Sequence, residues 1–220
     1  MRRLTYTLIS DGATDANLIP IVNWTLKERG GVSVANGTRA EFWRLATRPS
    51  SLDERIIMAM ELYPCDALFI HRDAEGVAHG DRVAEIRTAV ELAARSNCRL
   101  PSVGIVPVRM TEAWLLWNEE AIREAAGNPN GRSPLDLPPF NKLETRTDPK
   151  KHLRDALRQA SELRGRRLKK FNESQAVWRI VDFLSDFSAL RNLSAFVAFE
   201  DAIAQMRESS WSPGFYPRRA

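Results

Sequence analysis

The segment LTYTLISDGATD, residues 4–15, decides the fold of this chain. Its first half, Leu4–Ile9, is short and rich in β-branched and aromatic side chains, which predicts a buried strand. A polar turn follows, and Thr14 is placed to cap a helix that we expect from residue 15 to about residue 29. A strand that leads through a short turn into a helix is the opening unit of an α/β fold.

The alternation of strands and helices continues to about residue 126. Residues 32–39 have the composition of a loop, and we predict further strands at 41–47, 67–71 and 102–108 and further helices at 52–62, 80–97 and 111–126. Strands that alternate with helices imply a parallel sheet covered by helices. The expected fold class is therefore α/β, with a four-stranded, mainly parallel, Rossmannoid sheet flanked by helices and a C-terminal helical extension.

We expect two parts in the chain, an α/β domain at residues 1–127 and a second part at residues 128–220. The second part begins with a loop rich in proline and glycine, continues with a basic segment, and ends in helices that we expect to pack on the α/β domain. Apolar residues recur every three to four positions from Trp178 to Val197. This spacing favours a core stripe, with a partner surface as the alternative.

Positive charge is concentrated in one stretch of the chain. The 220 residues include 32 Lys and Arg and 28 Asp and Glu, for a net charge of +4. Residues 141–170 alone hold 11 basic and 4 acidic residues. Such a cluster can contact phosphates without reading a base sequence, although a solvated loop would also carry it. The cations that we assign to phosphate or nucleic-acid binding here and elsewhere are Arg72, Arg109, Lys150, Arg166, Arg167, Lys169 and Lys170.

Several classes of protein are excluded by missing motifs. Cys65 and Cys98 are the only cysteines, which excludes a disulfide scaffold and a cysteine-based zinc site. The chain contains neither a His-Glu-x-x-His motif nor a P-loop. It also lacks an apolar run long enough for a secretory signal or a membrane-spanning helix. We therefore expect a cytoplasmic protein without a membrane partner.

Acidic residues follow the first and third predicted strands. Asp11 follows the first strand, and Asp73 and Glu75 follow the third. Ligands of open parallel sheets bind beyond the carboxyl ends of the strands, where the strand order reverses. If strands one and three are neighbours, the three carboxylates converge, and an extended segment would direct Asp73 and Glu75 to the same side. Such oxygen ligands suit Mg²⁺ or Mn²⁺, while polar loop residues without a ligand are the alternative.

The arrangement of these acids resembles a known family. The order strand, Asp11-Gly12-Ala13-Thr14-Asp15, helix, and then strand, Asp73-Ala74-Glu75, resembles the TOPRIM domain of topoisomerases, primases and overcoming-lysogenisation-defect nucleases. The string Glu112-Ala113-Trp114-Leu115-Leu116 resembles the signature of an uncharacterised bacterial TOPRIM-like family, as do residues 125–129 and 148–150. The resemblance covers residues 4–155. Asp11 stands where TOPRIM enzymes carry a glutamate, and Glu75 replaces the second aspartate of their Asp-x-Asp.

The resemblance implies a metal-dependent nuclease that hydrolyses DNA or RNA. Asp73 and Glu75 would hold Mg²⁺, and Asp11 would complete the site or transfer a proton. Glu112 would supply a further carboxylate, or would only favour the positive end of its helix. Members of the bacterial family are thought to accompany ATPases in phage defence, which implies an antiviral role with an ATPase partner.

Two other functions remain open. The first is a catalytically weak or inactive TOPRIM-like subunit that binds and regulates an ATPase. The two altered acids favour this function, whereas the retention of acidic residues at all three positions opposes it. Its interface would use aromatic side chains, for which the candidates are Trp114, Trp117, Phe187, Phe196 and Trp211. The second is a receiver-like phosphotransfer domain, which the missing acidic pair after the first strand disfavours. The oligomeric state stays open, a homo-oligomer included.

Overall fold

The computed structural model describes residues 2–97 and 99–210 and confirms the predicted fold class. Four parallel strands form one sheet in the order β2-β1-β3-β4. The strands are β1 (Arg3–Ile9), β2 (Val34–Arg39), β3 (Ala67–His71) and β4 (Ser102–Ile105). The helices are α1 (Leu18–Glu28), α2 (Leu52–Leu62), α3 (His79–Arg95), α4 (Glu119–Ala125), α5 (Pro149–Ser161), α6 (Gly165–Lys169), α7 (Glu173–Arg179) and α8 (Ser194–Ser210).

The second strand is the main correction to the predicted elements. The strand expected at 41–47 is wrong, and β2 lies in the segment that resembles a loop in sequence. As an edge strand, β2 buries only one of its side chains fully, Ala35, so it lacks the apolar alternation that marks a strand. Its Gly37 is needed where the strand passes the ring of Tyr6, because a Cβ there would lie 2.6 Å from Tyr6 Cε2.

Two predicted helices begin differently in the structure. The first starts with a 3₁₀ turn at Thr14–Asn17, before α1, and Thr14 is not its capping residue. The helix expected at 111–126 is divided into a 3₁₀ helix, Thr111–Leu115, and α4. The side chain of Asn118 caps α4 by accepting a hydrogen bond from the backbone of Ala121, which explains why a new helix begins there.

The chain divides into two compact units whose limits differ from residue 127. The first unit contains residues 1–72, 77–106 and 197–220, and thus the whole sheet. The second contains residues 73–76 and 107–196. The predicted boundary therefore falls inside the second unit. No helix within residues 2–97 and 99–210 is long and apolar enough to span a membrane.

Each unit has its own apolar core. In the first, Phe69 of β3 packs edge-on against Tyr6 at 4.8 Å between ring centroids and against Phe199 at 6.3 Å. In the second, the fully buried Trp114 packs edge-on against Phe196 at 5.3 Å. The stripe predicted from Trp178 to Val197 contributes mostly to a core, although these two terminal members are each 40% exposed. Its buried members are Val181, Leu184, Phe187, Leu190, Leu193 and Phe196.

Candidate functional site at the carboxyl edge of the sheet

The sheet has one topological switch point, between β1 and β3. From β1 the chain passes to β2 on one side, and then crosses to β3 on the other side. The carboxyl ends of β1 and β3 are therefore neighbours, which fulfils the condition on which the prediction of a site depended. In open parallel sheets this is the position at which ligands bind.

Asp11, which follows β1, is held by two arginines at this switch point. Arg72 donates to Asp11 Oδ2 at 2.6 Å, and Arg55 of α2 donates to the other oxygen, Oδ1. The Asp11 side chain remains 48% exposed. Both carboxylate oxygens are thus occupied by guanidinium groups while the carboxylate still faces solvent.

Further charged side chains extend the contacts of Asp11 with its two arginines into a network. The other end of the Arg72 guanidinium lies 3.1 Å from Glu85 of α3, which also binds Arg82 at 2.7 Å. Arg72 Nε is buried and has no hydrogen-bond partner among the described residues. Three arginines therefore meet two carboxylates, and the excess of one positive charge suits an anionic ligand such as a phosphate. We call Asp11, Arg55, Arg72, Arg82 and Glu85 the switch-point network.

A buried Asp–His pair supports the loop that carries Asp11. Asp15 Oδ2 accepts a hydrogen bond from Gly12 N at 2.7 Å and lies 3.8 Å from His71 Nε2. His71 Nδ1 lies 3.1 Å from the carbonyl of Ile105, and since a carbonyl only accepts, Nδ1 carries a proton. Asp15 thereby fixes the turn in which Asp11 lies.

Asp73 and Glu75 belong to the second unit, where a different set of contacts positions them. Asp73 Oδ1 accepts a hydrogen bond from Thr111 N at 3.0 Å. Backbone hydrogen bonds from Ala74 and Glu75 run to the carbonyls of Pro107 and Arg109, both at 3.1 Å. Glu75 is exposed and has a left-handed backbone, with φ of +49°. The segment is therefore not extended, and the argument that extended geometry directs Asp73 and Glu75 to one side is wrong.

The predicted metal site stays a prediction. Carboxylates such as Asp73 and Glu75 are suitable donors, because Mg²⁺ accepts one or two of them together with water and substrate phosphates. Asp11 could act as a metal ligand only after releasing the arginines that occupy its two oxygens. Within residues 2–97 and 99–210, no group of three or more His, Cys, Asp and Glu side chains is arranged to hold a metal ion.

The Glu-Ala-Trp-Leu-Leu string lies in the core of the second unit. All residues of the 3₁₀ helix Thr111–Leu115 are buried, and Glu112 is only 7% exposed. Trp114, Phe187 and Phe196 are also buried, so they cannot supply the aromatic partner surface considered above. Trp117 is half-buried, 6.4 Å from the ring of Phe140, and Trp211 lies outside the described residues.

The remaining predicted cations belong to the second unit. Four of them lie on or beside the short helix α6 and are exposed: Arg166, Arg167, Lys169 and Lys170. Arg109 and Lys150 are half-buried, with Lys150 in the first turn of α5. The outer face of α5 also lines a cleft of about 390 Å³ that contains Lys151, His152 and Arg158. Asp136 and Asp155 line the same cleft, and Lys151 and Arg158 are paired with Asp155 and Glu173. The exposed cations on and beside α6 are therefore the part of the basic stretch that suits a phosphate chain.

Arg55 and Asp15 are site residues that were not singled out from the sequence. Arg55 is 44 positions from Asp11, and nothing local marks their contact. Asp15 did carry a signal, because it follows Asp11 by four residues, just after the turn that ends a buried strand.

Comparison with known proteins finds no matching family model, no matching curated protein and no matching solved structure.

Proposed function

We propose that the chain is a metal-dependent nuclease of TOPRIM type that hydrolyses phosphodiester bonds in DNA or RNA. The observation that carries the proposal is the order of the strands, because the switch point falls at the ends of the two strands that Asp11 and Asp73 follow. The arginines of the switch-point network add the positive charge that a phosphate backbone requires. The proposed setting is the cytoplasm, in a phage-defence system with an ATPase partner.

The proposed mechanism gives each side chain one role. Asp11, Asp73 and Glu75 would be the metal ligands, and Glu112 would be a further carboxylate. Bound Mg²⁺ or Mn²⁺ would polarise the phosphate and lower the pKa of a water molecule. Arg55 and Arg72, once released from Asp11, would form charge-assisted hydrogen bonds to phosphate oxygens.

A nuclease assay with a matched pair of variants tests the proposal. The purified protein is incubated with single- and double-stranded DNA and RNA in Mg²⁺ or Mn²⁺, with and without a candidate ATPase partner. We expect wild type to cleave at least one substrate and Asp73→Ala to lose about 100-fold or more in rate, because loss of a residue that only supports a metal ligand already costs about 10-fold to 100-fold. The exposed Asp201 of α8 provides the control, and Asp201→Ala should cleave like wild type. Wild-type protein that leaves every substrate intact would exclude the nuclease.

The second candidate is a catalytically weak or inactive subunit that binds nucleic acid or an ATPase. The observation in its favour is that arginines occupy both oxygens of Asp11, which is how an acid is held for structure instead of metal binding. Calorimetric titration with Mn²⁺ separates the two candidates. Binding that is lost in Asp73→Ala favours the nuclease, and the absence of Mn²⁺ binding favours the inactive subunit.

A further inference from the structure

A tryptophan lies exposed in the connection from β2 to α2. Trp43 is 56% exposed, more than any other large apolar side chain among the described residues. Tryptophan is highly buried on average, because exposing its ring to water forgoes a large hydrophobic gain. The segment that carries it follows the carboxyl end of β2. Because the strands are parallel, this is the edge of the sheet on which the switch-point network lies.

The indole ring is held in position although it is exposed. Its Nε1 donates to Glu41 Oε2 at 3.1 Å, and Glu41 Oε1 is bound in turn by Arg39. The backbone of Glu41 is fixed as well, since its N–H donates to the Tyr63 hydroxyl at 3.1 Å. A ring fixed in this way loses little conformational entropy when a ligand stacks on it.

One arginine contacts the ring, and a second binds the backbone of the same residue. The Arg44 guanidinium carbon lies 4.5 Å from the centroid of the Trp43 ring, which is the geometry of a cation–π contact. Arg48 donates to the backbone carbonyl of Trp43 at 3.1 Å. Arg39 is paired with Glu41, which is the only acidic residue within residues 39–48, so this segment keeps an excess of two positive charges. An aromatic face with flanking arginines is the combination that binds an unpaired base and its phosphates.

We propose that Trp43 and Arg44 form a stacking platform for an unpaired base of single-stranded nucleic acid. The base stacks on the indole, and Arg44 and Arg48 contact the adjoining phosphates. A duplex is a poorer ligand, because its bases are already stacked on one another. This inference deepens the proposed nuclease function, on which it rests, by naming single strands as the substrate class.

Binding measured without metal tests the platform separately from cleavage. Fluorescence anisotropy measures the affinity of the protein for three labelled ligands in EDTA. They are a 12-nucleotide oligothymidylate, a 12-nucleotide oligouridylate and a 12-base-pair duplex. We expect Trp43→Ala to bind at least one of the single strands about tenfold to a hundredfold more weakly than wild type, which is roughly the contribution of one stacked base. Trp43→Phe should retain most of the affinity, since it keeps an aromatic face. The affinity for the duplex should change less than twofold.

The matched control is a second exposed tryptophan. Trp178 of α7 is 40% exposed, and Trp178→Ala should bind like wild type. Equal affinity of Trp43→Ala and wild type would overturn the inference, as would an equal loss in Trp178→Ala, an equal loss on the duplex, or no binding of either single strand. The nuclease assay keeps the two proposals apart, because it measures cleavage in the presence of metal, whereas binding here is measured in EDTA. Trp43-dependent binding without any cleavage would support the platform while the nuclease fails.

Discussion

At the scale of single residues, the tightest constraint in the sheet is the passage of β2 over the ring of Tyr6. The Tyr6 side chain cannot move aside, because it is buried and its hydroxyl lies 3.0 Å from Asn23 Oδ1 and 3.1 Å from the carbonyl of Ile19. Burial also raises the pKa of the Tyr6 phenol, so the hydroxyl stays protonated and remains a donor. A Cβ at Gly37 would collide with this fixed ring.

We therefore predict that Gly37→Ala destabilises the protein by about 1–3 kcal/mol, the usual cost of overpacking. Gly80 in the first turn of α3 is the control, because a Cβ there would meet nothing within 4 Å. Gly80→Ala should be neutral or should stabilise by up to about 1 kcal/mol. Urea unfolding at neutral pH measures both. Identical unfolding midpoints for the two variants would show that the ring of Tyr6 can give way.

Among the residues of the candidate site, only those that directly follow a buried strand could be predicted from the sequence. Asp11 and Arg72 follow buried strands, and the structure pairs them at the switch point. The positions of Arg55 and Trp43 could not be predicted, because Arg55 depends on where α2 packs and Trp43 on where the β2–α2 connection runs. Trp43 also lies inside the strand expected at 41–47, and such a strand would have alternated its side chains between two faces.

At the scale of elements, the Pro- and Gly-rich loop of the second unit is anchored by one carboxylate. Glu162 follows α5 with a left-handed backbone, φ of +52°, and accepts hydrogen bonds from the backbone N–H groups of Ser133 and Arg132, both at 2.7 Å. These hydrogen bonds, with that of Ser133 the stronger influence, lower the pKa of Glu162 from 4.5 to about 2. A loop that appears unstructured in sequence is thereby tied to the end of a helix.

The lowered pKa of Glu162 predicts a pH-dependent stability. A carboxyl group whose pKa is lower in the folded state stabilises that state above its unfolded pKa, and this contribution is lost as the pH falls. We expect Glu162→Gln to be less stable than wild type near pH 7, and the difference to shrink as the pH falls from about 4.5 toward 2. Chemical denaturation at a series of pH values measures it. The exposed Glu61 of α2 serves as the control, and a Glu61→Gln difference with the same pH profile would contradict the assignment.

Elements with strong local signals were predictable. The bounds of α2 agree with the predicted helix, because Ser51 and Glu54 form a capping box that the sequence displays. β4 ends at Ile105, earlier than the strand predicted at 102–108, and Pro107 lies just beyond its end, where a residue that cannot donate to the sheet is tolerated. β2 could not be predicted, because it is an edge strand with little buried surface and contains Gly37. Its pairing with β1, and not an apolar pattern of its own, makes this segment a strand.

At the scale of the whole molecule, the net charge of +4 conceals two different surfaces. The first unit carries the switch-point network, in which opposite charges alternate, whereas the second carries the exposed cations on and beside α6. The fold class could be predicted from the alternation of strands and helices, whereas the division of the chain into two units could not. Their limits interleave along the chain, and a composition shift near residue 127 carries no information about such long-range contacts.

The exposed cations of the second unit give a prediction for nucleic-acid binding by the full chain. Neutralising Arg166, Arg167, Lys169 and Lys170 to alanine lowers the net charge from +4 to zero. A variant of equal net charge neutralises four exposed cations of the first unit instead, namely Lys27, Arg87, Arg95 and Arg99. Because each phosphate contact releases counterions, the slope of log affinity against log salt should become shallower by about 0.7 per lost contact to a single strand. We expect this change only in the first variant, measured by anisotropy from low to physiological salt. Equal slopes in the two variants would mean that net charge, and not the α6 surface, attracts the nucleic acid.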